Sequence, residues 1–112
     1  MIIKDIYWLA GLLEGEGCFT TVPVEGKRYP RIDLRMTDYD VVSKARNILG
    51  STKVSGNSTN RNKEIFTTQV NGNRAIQWMM TLYSLMGARR QERIKGILNS
   101  WKQSNSCSQV VN

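Results

Sequence analysis

The fold of this chain is indicated most directly by residues 9–17, which read Leu9-Ala10-Gly11-Leu12-Leu13-Glu14-Gly15-Glu16-Gly17. The apolar run begins at Ile6, and Ile2 and Ile3 precede it across Lys4 and Asp5, so we predict a helix from Ile3 to Glu14 that Gly15 and Gly17 end. Its apolar residues lie almost all the way round the helix. Because a surface helix shows only one apolar stripe, this helix is predicted to be buried on more than one side.

Gly11 and Gly15 are four residues apart and therefore share one face of the helix. Each glycine costs a helix about 1 kcal/mol relative to alanine, which suggests a compensating close approach of another backbone. If a second copy packs on this face, the two Glu16 carboxylates converge and need a cation between them. Oxygen ligands of this kind suit Mg²⁺ and metal-assisted phosphodiester hydrolysis. The alternative is an exposed helix end at which Glu14 and Glu16 are simply solvated.

The amino-acid composition limits the catalytic mechanisms and the binding partners that are possible for this chain. The 112 residues make one domain, residues 1–102, followed by a polar tail at 103–112. The formal net charge of +7 and the pI near 9.8 favour a polyanionic partner such as nucleic acid. The absence of histidine excludes serine–histidine and cysteine–histidine catalysis, and two cysteines are too few for a metal cluster or a disulfide framework. The first apolar run is too short for a membrane span and lacks a cleavage pattern, so a reduced, non-secreted compartment is expected.

The remaining pattern predicts the order α-β-β-α-β-β-α-α. Strands are predicted at Cys18–Val24 and Arg31–Thr37 around a Glu25-Gly26-Lys27 turn, and again at 51–57 and 63–71. A capping box at Thr37–Asp40 opens a second helix that Gly50 ends. A third helix is predicted at 73–86, and a fourth helix follows Gly87.

One face of the predicted sheet carries polar and charged side chains. Ile32, Leu34 and Met36 point to a dry face, whereas arginine and aspartate side chains on the other face are suited to reading guanine and cytosine. Basic residues in the loops would mainly contact phosphates. The alternative for any one of these positions is an ordinary solvated strand residue. The residues assigned to DNA binding are Thr20, Val22, Lys27, Arg28, Arg31, Asp33, Arg35, Thr37, Lys53, Ser55, Arg61, Lys63, Thr67 and Gln69.

Residues 9–17 resemble the signature of the LAGLIDADG homing endonuclease family. They match its Leu-Ala-Gly-Leu opening and its closing acid-glycine, and depart from it conservatively at Leu13, Glu14, Gly15 and Glu16. The element order, residues 34–49 and residues 85–98 also resemble the family, so the resemblance covers roughly residues 5–102. It implies an α+β fold with an α-β-β-α-β-β-α core. A four-stranded antiparallel sheet would form a DNA-binding saddle, with the signature helix at a two-fold dimer interface.

The resemblance also implies an activity and a set of site residues. A single-signature member would be a homodimer that cuts a near-palindromic site in double-stranded DNA with Mg²⁺ or Mn²⁺, without a membrane or small-molecule partner. Glu16 would bind the metal, with Glu14 in support, and Asp38, Arg89 or Arg90 would complete the active site. The implied interface residues are Leu9, Ala10, Gly11, Leu13 and Gly15. Intron or intein mobility and a cytoplasmic, nucleoid-associated or organellar location would accompany this role.

A second function fits the same fold, since fold alone does not decide activity. The chain could be a cleavage-deficient DNA- or RNA-binding protein, such as a maturase or a regulator. An acid at residue 16 favours the nuclease, because degenerate signature copies often lose it, although a packing constraint could also retain it.

Overall fold

Helices and strands follow the predicted order in the computed structural model, which describes residues 2–51, 54–58 and 64–111. The elements are α1 (Ile3–Glu16), β1 (Gly17–Val24), β2 (Lys27–Met36), α2 (Tyr39–Leu49), β3 (Ser55–Ser58), β4 (Glu64–Asn71), α3 (Gly72–Leu82), a 3₁₀ turn (Tyr83–Leu85) and α4 (Ala88–Val111). Lys53, Arg61 and Lys63 lie outside the described residues.

Helix α1 extends two residues further than predicted, because Gly17 and not Gly15 ends it. Gly17 takes an extended conformation while its N–H still donates to the carbonyl oxygen of Leu13. A Cβ at Gly17 would lie 2.6 Å from Leu13 Cδ2 and 2.8 Å from Leu13 O. The absence of a side chain therefore lets the chain pass directly from helix to strand, which places Glu16 at the junction.

Strands β1 and β2 form a tight hairpin, and β2 begins four residues earlier than predicted. The turn residues Glu25 and Gly26 both have positive φ, 51° and 81°. This backbone matches the twist of the two strands and suits a two-residue hairpin turn. The pairing runs without interruption from Val24↔Lys27 to Gly17↔Leu34.

Helix α2 begins after Asp38 and, as predicted, ends at Gly50. Gly50 has φ 77°, the left-handed conformation typical of a glycine that ends a helix. The predicted capping box places the N-cap at Thr37, but the N-cap is Asp38, whose side chain makes no capping hydrogen bond to the described residues.

The four strands pair antiparallel in the order β1-β2-β4-β3. Helices cover one face of this sheet, and the core lies between the two layers. Ile32 and Leu34 of β2 are fully buried there, together with Leu9 and Leu13 of α1. Each such side chain contributes roughly 1.5–3 kcal/mol through its burial.

The C-terminal part differs from the prediction at two points. Helix α3 ends at Leu82 and passes into the 3₁₀ turn, a common way for a helix to end. Helix α4 continues to Val111, through most of the segment predicted as a polar tail. That segment contains no glycine or proline that would stop a helix.

Candidate nucleic-acid interface and metal site

The face of the sheet away from the helices carries side chains in cross-strand rows. Residues directly opposite each other in an antiparallel sheet point to the same side, so the strand register defines each row. One row contains Thr20, Arg31 and Asn71; the next contains Cys18, Asp33 and Gln69; a third contains Arg35, Thr67 and the Ser55 position. The predicted assignment of Thr20, Arg31, Asp33, Arg35, Thr67 and Gln69 to one face agrees with this register.

Asn71 belongs to this face but was missed from the sequence. Its Oδ1 accepts a hydrogen bond of 2.7 Å from Arg31 Nε. Thr67, Gln69 and Asn71 occupy every second position of β4, and this alternation alone places Asn71 on the same face as the other two. Because Nε is held by Asn71, the Arg31 guanidinium is oriented in advance on the sheet.

Asp33 lies between two arginines of its own strand. Burial raises the pKa of the Asp33 carboxyl above its ordinary value of 3.8, and the neighbouring Arg31 and Arg35 guanidiniums oppose that shift. Asp33 Oδ1 is buried and has no hydrogen-bond partner within the described part of the chain. Because buried acceptors are normally hydrogen-bonded, this oxygen favours a ligand that can donate an N–H to it.

Glu16 opens onto this same face. A depression of 480 Å³ is lined by residues from α1, β1, β2 and β4: Glu16, Cys18, Arg31, Asp33, Arg35, Thr67 and Gln69. The structure thus brings the predicted metal ligand together with five of the predicted DNA-binding residues.

The helix end at Glu16 favours a cation, whereas Arg31 and Arg35 add positive charge elsewhere in the same depression. Glu16 is the last residue of α1, where the helix dipole has its negative end, and the last helical turn has no basic residue of its own. The side chain is exposed. Within the described ranges, no three aspartate, glutamate or cysteine side chains cluster around a common metal position. In one chain Glu16 would therefore be one ligand among oxygens supplied by water and phosphate.

Glu14, the second predicted metal ligand, is engaged elsewhere. Its Oε1 accepts a hydrogen bond of 2.6 Å from the backbone N–H of Gly87. Its Oε2 lies 3.4 Å from Arg90 Nε in an ion pair. These contacts direct Glu14 toward α4, and it does not line the depression that Glu16 enters.

The other predicted active-site residues also lie outside the depression. Arg90 is largely buried and holds the end of α1, whereas Arg89 is exposed. Asp38 is exposed at the start of α2.

The remaining predicted DNA-binding residues lie toward the ends of strands. Lys27 and Arg28 are exposed next to the hairpin turn, where Arg28 donates to the hydroxyl and the carbonyl oxygen of Thr21. Val22 is half-buried opposite Tyr29, and Thr37 is exposed just after β2.

The outer face of α1 separates the predicted interface residues into two groups. Leu9, Ala10 and Leu13 are in the core of the chain itself, with 0 to 4% of their surface exposed. Gly11 and Gly15 point outward, and a Cβ on either would meet no atom of the described residues within 4 Å. The two groups differ because residues 9 and 13 lie on the opposite side of the helix from residues 11 and 15.

Two large apolar residues continue the outward face toward the start of α1. Ile3 is 68% exposed and Tyr7 is 60% exposed. With Gly11 and Gly15 they form one row at four-residue spacing, here called the outer row of α1. A row of this kind is one of the ridges through which helices pack.

Several solved structures with the same arrangement are homing endonucleases, some of them LAGLIDADG proteins. The homing endonuclease I-CvuI in complex with its target has a TM-score of 0.67 and 19% sequence identity, over 94% of this chain and 73% of that one. The homing endonuclease I-TnaI has a TM-score of 0.64 and 15% identity, over 88% and 71%. This chain has the LAGLIDADG homing endonuclease fold. The predicted resemblance and fold class are thereby confirmed at the level of structure.

The LAGLIDADG meganuclease I-AabMI, bound to uncleaved DNA, matches with a TM-score of 0.68 and 11% identity. The match covers 94% of this chain and 39% of that protein. No family model matches this chain, and no curated protein matches it by sequence. Among the described residues of this LAGLIDADG fold, no helix is long and apolar enough to cross a membrane.

Proposed function

We propose that this chain is a site-specific double-strand DNA endonuclease that acts as a homodimer with Mg²⁺ or Mn²⁺. The observation that carries the proposal is the shared depression, in which Glu16 lies beside Arg31, Asp33 and Arg35. One surface therefore offers a carboxylate for a metal ion and side chains suited to base edges. The structures of I-CvuI and I-CeuI, which share the fold, contain DNA.

Different residues of the chain would bind the DNA and hold the metal ion for hydrolysis. Arg31 and Arg35 would donate to guanine, and Asp33 would accept from an amino group of cytosine or adenine. Lys27 and Arg28 would contact phosphates at the hairpin end. Glu16 would hold the divalent metal, which when bound polarises the phosphate and lowers the pKa of its water.

The homodimer is supported by the outer row of α1. Ile3 and Tyr7 expose large apolar surfaces, and Gly11 and Gly15 leave room for close approach of a second backbone. A two-fold axis along this row would bring two copies of Glu16 toward each other, one for each DNA strand.

The test is cleavage of a randomised duplex DNA library with Mg²⁺, with Mn²⁺ and with EDTA. Metal-dependent products that share a near-palindromic site are expected. Glu16→Gln removes the charge while keeping the side-chain size, so we expect at least a 100-fold loss of cleavage with DNA binding retained. Glu92→Gln, at an exposed position of α4, is the matched control. Cleavage by Glu16→Gln at the wild-type rate would reject the metal-site assignment.

A second candidate is a DNA- or RNA-binding protein that has lost cleavage. Two observations favour it: Glu14 is engaged with Gly87 and Arg90, and Arg90 is engaged with the end of α1. Selective binding of duplexes from the same library, without cleavage products in Mg²⁺ or Mn²⁺, would support this second candidate. A location in cytoplasm, nucleoid or organelle, and a role in intron or intein mobility, belong to the first proposal.

A further inference from the structure

The main chain on both sides of Glu16 is held by one side chain of α4. Arg90 Nε donates a hydrogen bond of 2.8 Å to the carbonyl oxygen of Glu14, and Arg90 Nη1 donates one of 2.8 Å to the carbonyl oxygen of Gly17. These two carbonyls precede and follow the residue that carries the proposed metal ligand. A single guanidinium therefore spans the junction between α1 and β1.

The side chain of Glu14 completes this contact. One carboxylate oxygen pairs with Arg90 and the other accepts from the Gly87 N–H, just before α4. Only 19% of the Arg90 side chain is exposed, which weakens solvent competition for its hydrogen bonds. Glu14 thus connects the end of α1 to the start of α4 by two separate contacts.

The adjoining part of β1 is held from the same helix. Arg93, one turn further along α4, donates a hydrogen bond of 2.9 Å from Nε to the carbonyl oxygen of Phe19. Strand β1 is an edge of the sheet that the described residues form, so this carbonyl faces no further strand of that sheet. The Arg90 guanidinium also lies 6.0 Å from the centre of the Phe19 ring. Helix α4 therefore contacts the main chain at Glu14, Gly17 and Phe19.

Two donors on separate nitrogens are needed for this arrangement. Arginine presents its N–H groups in a rigid planar fork, so one side chain can reach two carbonyls at once. Lysine has a single ammonium nitrogen on a flexible stem and cannot reproduce that geometry. The contact therefore depends on the shape of arginine as well as on its charge.

We propose that Arg90 and Glu14 form a clamp that fixes the main chain of residues 14–17 and thereby sets the position of the Glu16 carboxylate. In this arrangement both are positioning residues that contact neither metal nor DNA. The inference deepens the proposed function, because it concerns the same Glu16 site. It also gives Arg90 and Glu14 a different role from the one that the family resemblance implies.

The first measurement is amide hydrogen exchange, which does not depend on cleavage. The Gly17 N–H donates to Leu13 O at the end of α1, so its exchange rate reports on the clamped turn. In Arg90→Lys we expect this amide to exchange at least 10-fold faster while core amides such as that of Ile32 keep their rates. Arg74→Lys, an exposed arginine of α3, is the matched control. Unchanged Gly17 exchange in Arg90→Lys would overturn the clamp whether or not the protein cleaves DNA.

The second measurement is the Mg²⁺ dependence of cleavage at the selected site. Loss of support behind a metal ligand costs about 10- to 100-fold in metal affinity or activity, so Arg90→Lys should raise the half-maximal Mg²⁺ concentration by that factor. DNA affinity in EDTA should change less than twofold. A lower rate at saturating Mg²⁺ with an unchanged Mg²⁺ requirement would show that Arg90 acts on the substrate, which contradicts the proposal.

Two substitutions of Glu14 separate the clamp from direct metal binding and serve if Arg90→Lys does not fold. Glu14→Gln keeps an oxygen that can accept from the Gly87 N–H but loses the ion pair with Arg90, so the Mg²⁺ requirement should rise by less than in Glu14→Ala. Glu14→Ala removes both contacts and should raise the requirement at least 10-fold. An equal, large increase in both variants would identify Glu14 as a metal ligand and overturn the clamp. Absence of wild-type cleavage with any divalent metal would reject the proposed nuclease, leaving hydrogen exchange to decide on the clamp.

Discussion

Replacing both Gly11 and Gly15 by alanine has opposite effects in the free chain and at a helix interface. Within the part of the chain that the structure describes, neither added Cβ would meet an atom within 4 Å. Alanine is favoured over glycine in a helix by about 1 kcal/mol, and the gain at Gly15 is smaller because it lies in the last turn of α1. The free energy of unfolding of the monomeric double variant should therefore be about 1–2 kcal/mol higher than that of the wild-type monomer.

A dimer that packs through the outer row of α1 reverses this sign. In a two-fold dimer both protomers carry the added methyl groups. These groups would lie between the two α1 helices, where glycine lets the backbones approach closely. Overpacking of this kind costs roughly 1–3 kcal/mol, and each 1.4 kcal/mol changes an equilibrium constant about tenfold. The dimer dissociation constant should therefore rise by roughly 5- to 150-fold.

Two assays measure the two effects separately. Sedimentation equilibrium over a range of concentrations gives the dissociation constant, and urea unfolding below that concentration gives the stability of the monomer. Gly96→Ala is the matched control, because Gly96 is an exposed residue of α4 with open space around it. That control should stabilise the chain similarly without changing its association.

Either of two results would refute the reasoning. A double variant that associates with wild-type affinity would show that the outer row of α1 is not the interface. A double variant that is less stable than wild type at concentrations where both are monomeric would show that the space beside these glycines is not open.

The remaining predictions concern the junction after Glu16 and the centre of the sheet. Gly17→Ala should lower the free energy of unfolding by about 1–3 kcal/mol, measured by urea unfolding, because the new methyl group meets the Leu13 backbone; wild-type stability would contradict this. Asp33→Asn should be more stable than wild type at pH 7, because burial raises the pKa of the folded carboxyl above 3.8. Wild-type stability should fall relative to the variant as pH rises from 3.8 through the folded pKa, and the difference should shrink below pH 3.8. Unfolding at pH 3 to 8 measures this, and a difference that grows on acidification would refute it.

Local sequence patterns were sufficient to predict most of the fold. Strict alternation from Arg31 to Met36 identified the dry and wet faces of β2, because successive side chains of a strand point to opposite sides. Gly50 marked the end of α2, because a left-handed backbone there favours a residue without a side chain. Element boundaries were less exact, as at Gly15, since a glycine can end a helix or remain within it.

The candidate site depended on contacts between distant parts of the sequence. Glu14 and Glu16 are chemically alike and two residues apart, yet one faces α4 and the other the sheet surface. The sequence predicted Arg90 as an active-site residue, but Arg90 and Arg93 donate to carbonyl oxygens more than 70 residues earlier in the chain. Backbone carbonyls have no residue-specific signature, so no local pattern could reveal these bonds.

The sequence by itself determined the order of elements, the polar face of the sheet and the signature that places an acid at the end of α1. These follow from side-chain period, glycine conformation and charge, which act within a few residues. Only the tertiary structure decided which acid faces the sheet surface, which arginine bonds to the end of α1 and which signature residues are exposed on α1. Those outcomes depend on where α4 meets the junction of α1 and β1, and packing of the whole chain sets that meeting point.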